Sequence, residues 1–377
     1  MTTLGASVEF EVEVGVPPRP PRTLLDHVAE WAPRVGVSSL WTIDHFSSFV
    51  PASIWGPAFS PAATRSSSPD RIFEFQTVLG YLAARAPGLR LAVGVTEAIR
   101  RHPVVLAQTF LTLSHLSDAP VILGLGAGER ENADAYGFDF KRPVSRLEEA
   151  VRLIRQCFAA QGPFSFEGSL FRLEGALLDL EAGPSGQPSI WLAAHGPRTL
   201  GLTGALADGW YPSSRFTPTE YVDGLSVISN SAEGRNMAGF TPALQCMVAL
   251  GETESLARAR LESPPTRLWS LLTPGRRWAE LGYEHPLGAD FGGMVDFVPS
   301  EFDHEAIQSA LDAIPLGMLE RAVFWGTPDK VAAEIGEMVD VGLRHPVVIP
   351  VPGLGVPGPD EPDSHYRVVR ILNKRYG

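Results

Sequence analysis

The chain has 377 residues, and its 31 lysines and arginines against 43 aspartates and glutamates give a formal net charge of −12. An acidic chain of this kind is not expected to bind nucleic acid or an anionic membrane surface. Its 44% hydrophobic residues can fill a large core, which excludes wholesale disorder, and its two cysteines are too few for a disulfide framework.

Short apolar segments with the pattern of buried β-strands alternate with helical segments along the chain. The predicted strands are Val8–Val14, Ser39–Ile43, Leu89–Val95, Pro120–Leu125, Ser189–Ala194, Asp208–Tyr211, Thr241–Leu250 and His345–Val351. The predicted helices are Thr23–Arg34, Pro103–Leu116, one marked by Val144, Leu147, Val151 and Ile154, then Pro197–Leu206, Pro218–Ile228 and Pro328–Val339. This alternation favours an α/β protein with the (β/α)8 TIM-barrel fold over a doubly wound sheet.

Local signals add detail to this barrel. Ser145 and Glu148 have the spacing of a capping box, and Thr327 is the predicted N-cap of the last helix. The segment 164–173 is predicted to be an inserted hairpin. Residues 264–319, rich in proline, glycine and tryptophan, are predicted to be an insertion before the last barrel strand that shapes a substrate pocket. We predict one TIM-barrel domain over residues 1–377.

No targeting signal is visible in the sequence. Residues 1–16 lack a basic segment followed by an apolar one, and no run of about 18 apolar residues occurs. The sequence therefore predicts a cytoplasmic protein that does not insert into a membrane.

Active sites of TIM barrels lie at the carboxyl ends of the strands, so the polar residues after each strand are the candidates. These are Asp44 and His45 after the second strand, Gly94, Val95 and Thr96 at the third, Gly124 to Glu129 at the fourth, His195 and Gly196 at the fifth and Ser213 at the sixth. We expect the site to be built from these segments.

Two of these residues are candidates for proton transfer. His45 can titrate near neutrality as a general acid or base, or it can be a hydrogen-bonded core histidine. Glu129 can hold a proton beside a bound ring, or it can be a carboxylate that complements a helix dipole. The glycines before Glu129 would let the backbone approach a ligand closely, but they lack the spacing of a dinucleotide-binding loop.

Positive charge follows the same strand ends. His195, Gly196 and Pro197 lead into a helix whose first N–H groups can hold a phosphate, and Arg198 adds charge there. Further arginines at the predicted strand ends are Arg100, Arg101, Arg130 and Arg215. Their concentration on one face predicts an anionic ligand.

The sequence lacks the residue patterns that several other classes of enzyme require. The nine histidines are scattered, and without an HExxH motif no metal site is expected. Glu129, Glu131 and Asp134 belong to one loop, whereas the carboxylates of glycoside hydrolases usually converge from separate strands. No GxSxG motif occurs, which argues against a serine hydrolase of that type.

The residues after the strands resemble the bacterial luciferase-like superfamily, and within it the branch that uses the deazaflavin coenzyme F420. The matching segments are Asp44-His45-Phe46, Gly94-Val95-Thr96, Arg101-His102-Pro103, Leu106-Ala107-Gln108, Gly124 to Glu129 with Asn132 and Tyr136-Gly137, Arg146 to Glu149, Ala193 to Pro197 and Ala207-Asp208-Gly209. In the insertion, Glu284 to Phe291, with Gly326 to Asp329, is similar to the mycobacterial phthiodiolone dimycocerosate ketoreductases.

The resemblance implies a role for each matching position. Asp44 and Thr96 would hydrogen-bond the deazaflavin, Gly94 and Val95 would form a non-proline cis peptide against its ring, and His45 and Glu129 would handle protons. The coenzyme's ribityl and phosphate tail would be lined by Ala127, Gly128, Asn132, His195, Gly196, Arg198, Thr199 and Ser213. The resemblance also implies a homodimer.

Departures from the family indicate the type of substrate. Phe49 stands where the sugar-phosphate dehydrogenases of this branch have a tryptophan, and Arg215 and Phe216 stand around the place of their phosphate-binding lysine. Trp55, Phe59 and Phe73 suggest a more apolar, small-molecule substrate. We therefore expect an F420-dependent ketoreductase-like oxidoreductase, in which reduced deazaflavin delivers hydride to a carbonyl or another unsaturated carbon. The alternatives are an FMN-dependent monooxygenase of the same superfamily, a ligand-binding barrel without catalysis and, last, a metal-dependent hydrolase.

Overall fold

The computed structural model describes residues 4–5, 8–16, 18–351 and 364–377. Its strands are β1 Glu13–Gly15, β2 Ser39–Thr42, β3 Arg90–Thr96, β4 Val121–Leu125, β5 Phe164–Glu167, β6 Arg172–Ala176, β7 Ser189–Leu192, β8 Gly209–Trp210, β9 Thr241–Leu250, β10 Phe324–Gly326 and β11 His345–Pro350. Its α-helices are α1 Thr23–Trp31, α2 Phe75–Arg85, α3 Pro103–Leu116, α4 Pro143–Ala159, α5 Pro197–Leu206, α6 Pro218–Asn230, α7 Glu254–Leu261, α8 Pro264–Leu271, α9 Gly275–Glu280, α10 His304–Asp312, α11 Leu316–Ala322, α12 Pro328–Asp340 and α13 Ser364–Tyr376. Short 3-10 helices occupy Ala32–Val35, Ala52–Ile54, Pro61–Thr64, Arg130–Asn132, Asp134–Tyr136, Gly293–Val295 and Pro299–Glu301.

Eight parallel strands close into a barrel. They follow one another in the order β1, β2, β3, β4, β7, β8, β9 and β11, and β11 pairs with β1 to complete the circle. Val14 of β1 is in register with Leu40 on one side and with Val348 on the other. The predicted (β/α)8 TIM-barrel fold is confirmed.

Alternation along the strands separates two apolar layers. Trp41, Ala92, Ile122, Trp191 and Val347 belong to a cluster inside the barrel. Their strand neighbours belong to the larger cluster between the barrel and its helices, for example Leu40, Leu91, Leu123, Ile190 and Val348. Because successive side chains of a strand point to opposite faces, each strand contributes to both layers.

Several element boundaries differ from the sequence prediction. The first helix ends at Trp31 and continues as a 3-10 turn that contains Pro33. The capping box at Ser145 and Glu148 was wrong, because α4 begins at Pro143 and both residues lie inside it. The cap at Thr327 is confirmed, since its Oγ1 accepts the N–H of Lys330 at 3.4 Å. The helices α2 and α13 were not predicted.

The hairpin predicted at 164–173 is confirmed as the antiparallel pair β5 and β6, which lies outside the barrel sheet. Among the described residues, none of the helices has both the length and the hydropathy that a membrane span requires. The prediction of a single domain over residues 1–377 also covers 352–363, which lie outside the described residues.

The segment 264–319 is helical. It contains α8, α9 and α10 and the start of α11, and its apolar side chains form a second core around Leu268, Trp278, Phe297 and Leu311. Met247 and Ala249 from the carboxyl half of β9 belong to the same core, as do Val50 and Phe59 from the loop after β2. The segment therefore packs against the carboxyl end of the barrel.

The chain returns from this segment through β10, which the sequence analysis did not predict. Phe324, Trp325 and Gly326 pair with Val248, Ala249 and Leu250 at the end of β9. The beginning of β9 pairs with β8, so β8 and β10 both pair with β9, at its two ends. At three residues, β10 is too short to give a clear periodic signal.

Candidate active site

The carboxylate of Asp44, two residues after β2, is bound by the last residue of β3 and by two arginines that follow it. Its Oδ2 accepts hydrogen bonds from Thr96 Oγ1 and Arg101 Nη1, both at 2.6 Å, and lies 3.0 Å from Arg100 Nη2. Burial raises the pKa of Asp44, and the positive charges of Arg100 and Arg101 oppose that rise. The carboxyl ends of β2 and β3 are thus joined by one buried charge network.

The two arginines are held by this network on their other sides as well. Arg100 contacts the carboxylate of Glu97 through Nε, donates to the carbonyl of Asp44 at 2.8 Å and lies over the ring of Phe46. Arg101 also reaches Glu74 at 3.1 Å. The side chain of Arg100 is 2% exposed. These arginines therefore neutralise carboxylates of the chain and do not form the free anion site that the sequence predicted.

His45 lies between two glutamates that precede and follow Arg130. Its Nδ1 is 2.8 Å from Glu131 Oε1 and 3.7 Å from Glu129 Oε2. The Glu131 side chain is 0% exposed, whereas that of Glu129 is 22% exposed. Within the described residues His45 Nε2 has no hydrogen-bond partner, so this atom is the one left for a ligand.

Asn132 completes this cluster. Its Oδ1 accepts the N–H of Phe46 at 2.9 Å, which fixes the orientation of the amide and turns Nδ2 toward the carboxylates. Nδ2 lies 2.9 Å from His45 Nδ1, 3.2 Å from Glu131 Oε1 and 3.4 Å from Glu129 Oε2. The predicted proton-handling pair of His45 and Glu129 is therefore brought together, with Glu131 as a closer partner.

The cluster shifts the protonation of both predicted proton carriers. Burial by itself lowers the pKa of His45, but the charge and hydrogen bond of Glu131, with Glu129 and Asp44, raise it to about 9. Burial raises the pKa of Glu129 to about 7; His45 and Arg100 oppose this rise, and Glu131 and Glu97 add to it. Both shifts favour the protonated forms, so His45 stays charged and Glu129 stays neutral up to a higher pH than is usual for either group.

The Gly94–Val95 peptide bond is cis, as the family resemblance implied. It lies where the register between β3 and β4 is interrupted, between Val93 and Thr96. The glycines at the end of β4 make room for this segment: a Cβ on Gly124 would lie 2.2 Å from the Val93 carbonyl, and one on Gly126 would lie 2.9 Å from Val95 Cγ2. These two glycines therefore allow β3 to pack closely against β4, and their lack of a side chain is explained without a ligand.

The third glycine of this segment, Gly128, is required by its backbone conformation. Gly128 has φ +91°, and a Cβ there would lie 2.7 Å from Ile99 Cδ1. Both the backbone conformation and the space favour glycine at this position. Ala127 and Gly128 are half-buried beside Glu129.

A second polar group lies after β7 and β8. His195 Nε2 accepts the N–H of Ser213 at 3.1 Å and lies 3.3 Å from its hydroxyl. Surrounding protein, and to a smaller extent the charge of Arg276, lower the pKa of His195 to about 4, although the ring keeps contact with solvent. Because Nε2 accepts the N–H of Ser213, the imidazole is neutral and its proton is on Nδ1.

The beginning of α5 lies next to His195. Gly196 has no side chain to cap the helix, a Cβ there would meet nothing within 4 Å, and its own N–H donates to Thr199 Oγ1 at 3.2 Å. The N–H groups of Arg198 and Thr199 are in the first turn and lack intrahelical partners. The Arg198 guanidinium turns away, to Ser145 Oγ at 2.9 Å. Neutral His195, Ser213 and the first turn of α5 form a set of donors suited to an anion.

Two arginines of the sequence prediction lie elsewhere. Arg130 pairs with Asp134 at 2.8 Å on the surface. Arg215 donates to the carbonyls of Glu320 and Val323 and to Glu334 Oε2 at 2.8 Å, so it ties the loop after β8 to the start of β10. The expectation that Arg215 holds an anionic ligand is wrong, because its guanidinium is already occupied.

Sequence reasoning missed two charged residues of this region. Glu131 was considered only as one of several loop carboxylates, and nothing in the sequence shows which of two glutamates two positions apart faces His45. Arg276, in α9, is exposed and makes no ion pair with any described residue, and its neighbour Arg277 binds Glu220 at 2.6 Å. That ion pair attaches α9 to the first turn of α6, which follows Ser213 in the chain.

Comparison with known proteins gives the following likenesses. Residues 6–345 match the family described as luciferase-like monooxygenase. The chain is 38% identical over 320 residues to the phthiodiolone/phenolphthiodiolone dimycocerosates ketoreductase of Mycobacterium tuberculosis, with 84% of both chains covered. It resembles the solved coenzyme F420 dependent tetrahydromethanopterin reductase of Methanopyrus kandleri, with TM-score 0.75, 18% identity and 98% and 100% of the two chains covered. It also resembles an F420-dependent secondary alcohol dehydrogenase bound to an F420-acetone adduct, with TM-score 0.72, 17% identity and 97% and 98% coverage. The chain belongs to the luciferase-like monooxygenase family.

Proposed function

We propose that this protein is a coenzyme F420-dependent oxidoreductase that reduces a carbonyl of an apolar substrate. The observation that carries the proposal is the 38% identity, over 84% of both chains, with proteins named as ketoreductases. His45 Nε2, which has no hydrogen-bond partner among the described residues, supplies the proton donor that such a reduction needs, and the pKa of this histidine is raised to about 9.

The residues present fit the coenzyme. The neutral His195, Ser213 and the first turn of α5 offer donors to a phosphate, and Gly196 leaves open space beside them. The Gly94–Val95 cis peptide and the Asp44–Thr96 pair lie at the carboxyl end of β3. The residues proposed to hold the coenzyme are Asp44, Gly94, Val95, Thr96, Ala127, Gly128, Asn132, His195, Gly196, Arg198, Thr199 and Ser213.

When bound, the coenzyme supplies the hydride. His45 donates its Nε2 proton to the carbonyl oxygen as negative charge develops there, and the ring remains hydrogen-bonded to Glu131 through Nδ1. Glu129 is more exposed than Glu131, and its pKa is raised to about 7. It therefore passes a proton from solvent to His45 after each reduction. General acid catalysis of this kind contributes about 10² to 10⁴ in rate.

The surroundings of His45 support an apolar substrate. The ring of Phe49 meets His45 edge-on with centroids 4.9 Å apart. Phe49 and Trp55 pack against the core of the 264–319 segment, in which Phe59 is buried. An apolar wall beside a proton donor suits a ketone flanked by hydrocarbon better than a sugar phosphate.

The alternative coenzyme is FMN, because the family as a whole is described as one of monooxygenases. An FMN enzyme would use O₂ and would not need a carbonyl substrate. The cytoplasmic location and the homodimer remain predictions from the sequence.

The first experiment is a titration of the protein with oxidised F420 and, separately, with FMN, followed by tryptophan fluorescence. We expect F420 to bind at least about tenfold more tightly, a difference of about 1.4 kcal/mol. Reduced F420 should then be oxidised in the presence of long-chain ketones, and His45→Ala should slow this turnover while the coenzyme still binds.

The opposite preference, together with substrate-dependent O₂ uptake with FMNH₂, would identify the protein as a flavin monooxygenase. Tight F420 binding without turnover on a broad carbonyl panel would identify it as a binding protein. A loss of less than about tenfold in both His45→Ala and Glu129→Ala would overturn the assignment of the proton donors.

A further inference from the structure

The carboxylate of Glu131 is the buried partner of His45, and this residue is absent from the proton-handling pair proposed above. The two side chains meet at 2.8 Å although 86 positions separate them in the chain. Glu131 is fully buried, and its second oxygen, Oε2, has no partner in the described structure. A buried carboxylate in this state depends on its few donors.

The protonation state of His45 Nδ1 decides whether Glu131 Oε1 has a strong hydrogen-bond donor. If Nδ1 of His45 carries a proton, it donates to Glu131 Oε1, and Asn132 Nδ2 donates to the two carboxylates at 3.2 and 3.4 Å. If Nδ1 is bare, Asn132 can donate to it at 2.9 Å, but Glu131 then faces a lone pair. That state would leave a buried carboxylate with one weak donor, so the geometry favours the proton on Nδ1.

The charged groups around His45 lie at different distances from the proton on Nδ1. Glu131 faces Nδ1 from the 3-10 turn 130–132, Glu129 lies 3.7 Å away on the same loop, Asp44 precedes His45 in the chain, and Arg100 lies behind Asp44 and Asn132. Phe49 covers the edge of the ring. Among them Glu131 alone is within hydrogen-bond distance as an anionic acceptor.

We propose that Glu131 is a positioning residue that holds the proton on Nδ1 of His45, keeps the imidazole charged and thereby presents Nε2–H to the reacting oxygen. The two glutamates have separate tasks: Glu131 fixes the charge and orientation of the ring, and Glu129 exchanges protons with solvent. This inference deepens the proposed function and rests on it for the identity of the reacting oxygen.

The test compares Glu131→Gln with Glu129→Gln. Both replacements keep the size of the side chain and remove one negative charge. The first readout is the titration of His45 by NMR in the protein without coenzyme or substrate. Glu131→Gln should lower the pKa of His45 by about two units or more, toward the ordinary histidine value, and by more than Glu129→Gln does.

The second readout is the pH profile of turnover. In Glu131→Gln a smaller fraction of His45 carries a charge at about pH 8, so kcat/KM should fall at least about tenfold there but less than about twofold near pH 6. The dissociation constant for F420 should change less than about twofold. Glu131→Asp, whose shorter carboxylate keeps the charge, should restore part of the pKa of His45.

An unchanged titration of His45 in Glu131→Gln, or a loss of turnover that is equal at all pH values, would overturn the proposal. Urea unfolding of both variants shows whether they fold. If Glu131→Gln does not fold, the titration of His45 in Glu129→Gln decides: a pKa that stays well above 6.5 supports Glu131 as the source of the charge, and a fall to the ordinary histidine value overturns the proposal. The NMR readout needs no coenzyme, so a failure of the F420 assignment leaves this test intact.

Discussion

Trp41 and Tyr211 stack inside the barrel with ring centroids 4.4 Å apart and planes 20° from parallel. Gly94 lies against this pair: a Cβ there would come within 2.7 Å of Trp41 Cε3 and 2.9 Å of Tyr211 Cε1. Both aromatic residues are 2% exposed, so neither ring can move without repacking the interior. The two rings therefore limit the space available at the end of β3, where the coenzyme is proposed to bind.

Gly94→Ala should destabilise the protein by about 1–3 kcal/mol, because the added methyl group overpacks this interior. Urea denaturation measures the change. The matched control is Gly88→Ala, in the exposed turn before β3, since a Cβ at Gly88 meets no described atom within 4 Å. We expect a change below about 0.5 kcal/mol in the control. Equal losses in both variants would contradict the role of the stacked rings.

The raised pKa of His45 makes its contribution to stability depend on pH. A histidine whose pKa is about 9 in the folded state stabilises the protein fully below the ordinary value of 6.5, and this stabilisation is lost as the pH rises toward 9. The difference in urea midpoint between the wild type and His45→Gln should therefore shrink over this range. His102→Gln is the control: burial lowers the pKa of His102, so its contribution should stay constant above about pH 6.5.

Arg215→Lys should weaken the attachment of β10 to the barrel, because lysine cannot reproduce the forked contact with two carbonyls and Glu334. We expect a loss of about 1–3 kcal/mol in urea denaturation and faster proteolysis between α11 and β10. The dissociation constant for the coenzyme should not change. A weaker coenzyme affinity with unchanged stability would instead favour an anion-binding role for Arg215.

Arg276→Ala should raise the pKa of His195, because the charge of Arg276 is one of the two causes that lower it. It should also weaken binding of a phosphate-bearing coenzyme by about threefold to tenfold, with a smaller effect at high salt. NMR titration of His195 and fluorescence titration at two salt concentrations measure these effects. Arg34→Ala, in the turn after α1, should leave both quantities unchanged; a similar effect there would point to overall charge.

Removal of metal ions should leave the enzyme active. His45, Glu129 and Glu131 place ligand atoms within 4.8 Å of one another, which is close enough for a metal ion. We expect the proton of His45 to take that place, so dialysis against EDTA should change kcat by less than about twofold, and elemental analysis should find no bound metal. Loss of activity that zinc or manganese restores would contradict this.

The barrel was predictable because its strands are apolar on both faces and most of its helices begin at a proline. Proline at the first helical position marks α3, α5, α6 and α12, and the predicted starts of these helices agree with the structure. The helix α2 was missed although Phe75, Val78, Leu79 and Leu82 have helical spacing, because it is capped by Glu74 rather than by one of the usual N-cap residues.

The site was predictable only as a set of strand ends. The rule that barrel strands end at the active site selected Asp44, His45, Thr96 and Glu129, and the structure brings them together. The rule did not show that Arg100 and Arg101 would form ion pairs with carboxylates of the chain itself. Ion pairs between distant segments depend on how the chain packs, which cannot be read from composition. The same limit hid Glu131, whose contact with His45 arises from a 3-10 turn.

The pairing of β10 with the end of β9 has a consequence for how this protein can vary. The chain leaves the barrel at Leu250, the end of β9, and returns at Phe324 to β10, which is hydrogen-bonded to that same end of β9. The two ends of the segment 251–323 are therefore held at a fixed distance by strand pairing. A related protein with a segment of different length or sequence between these strands can keep the same two attachment points. We therefore expect this segment to vary among relatives while the residues at the strand ends stay in place.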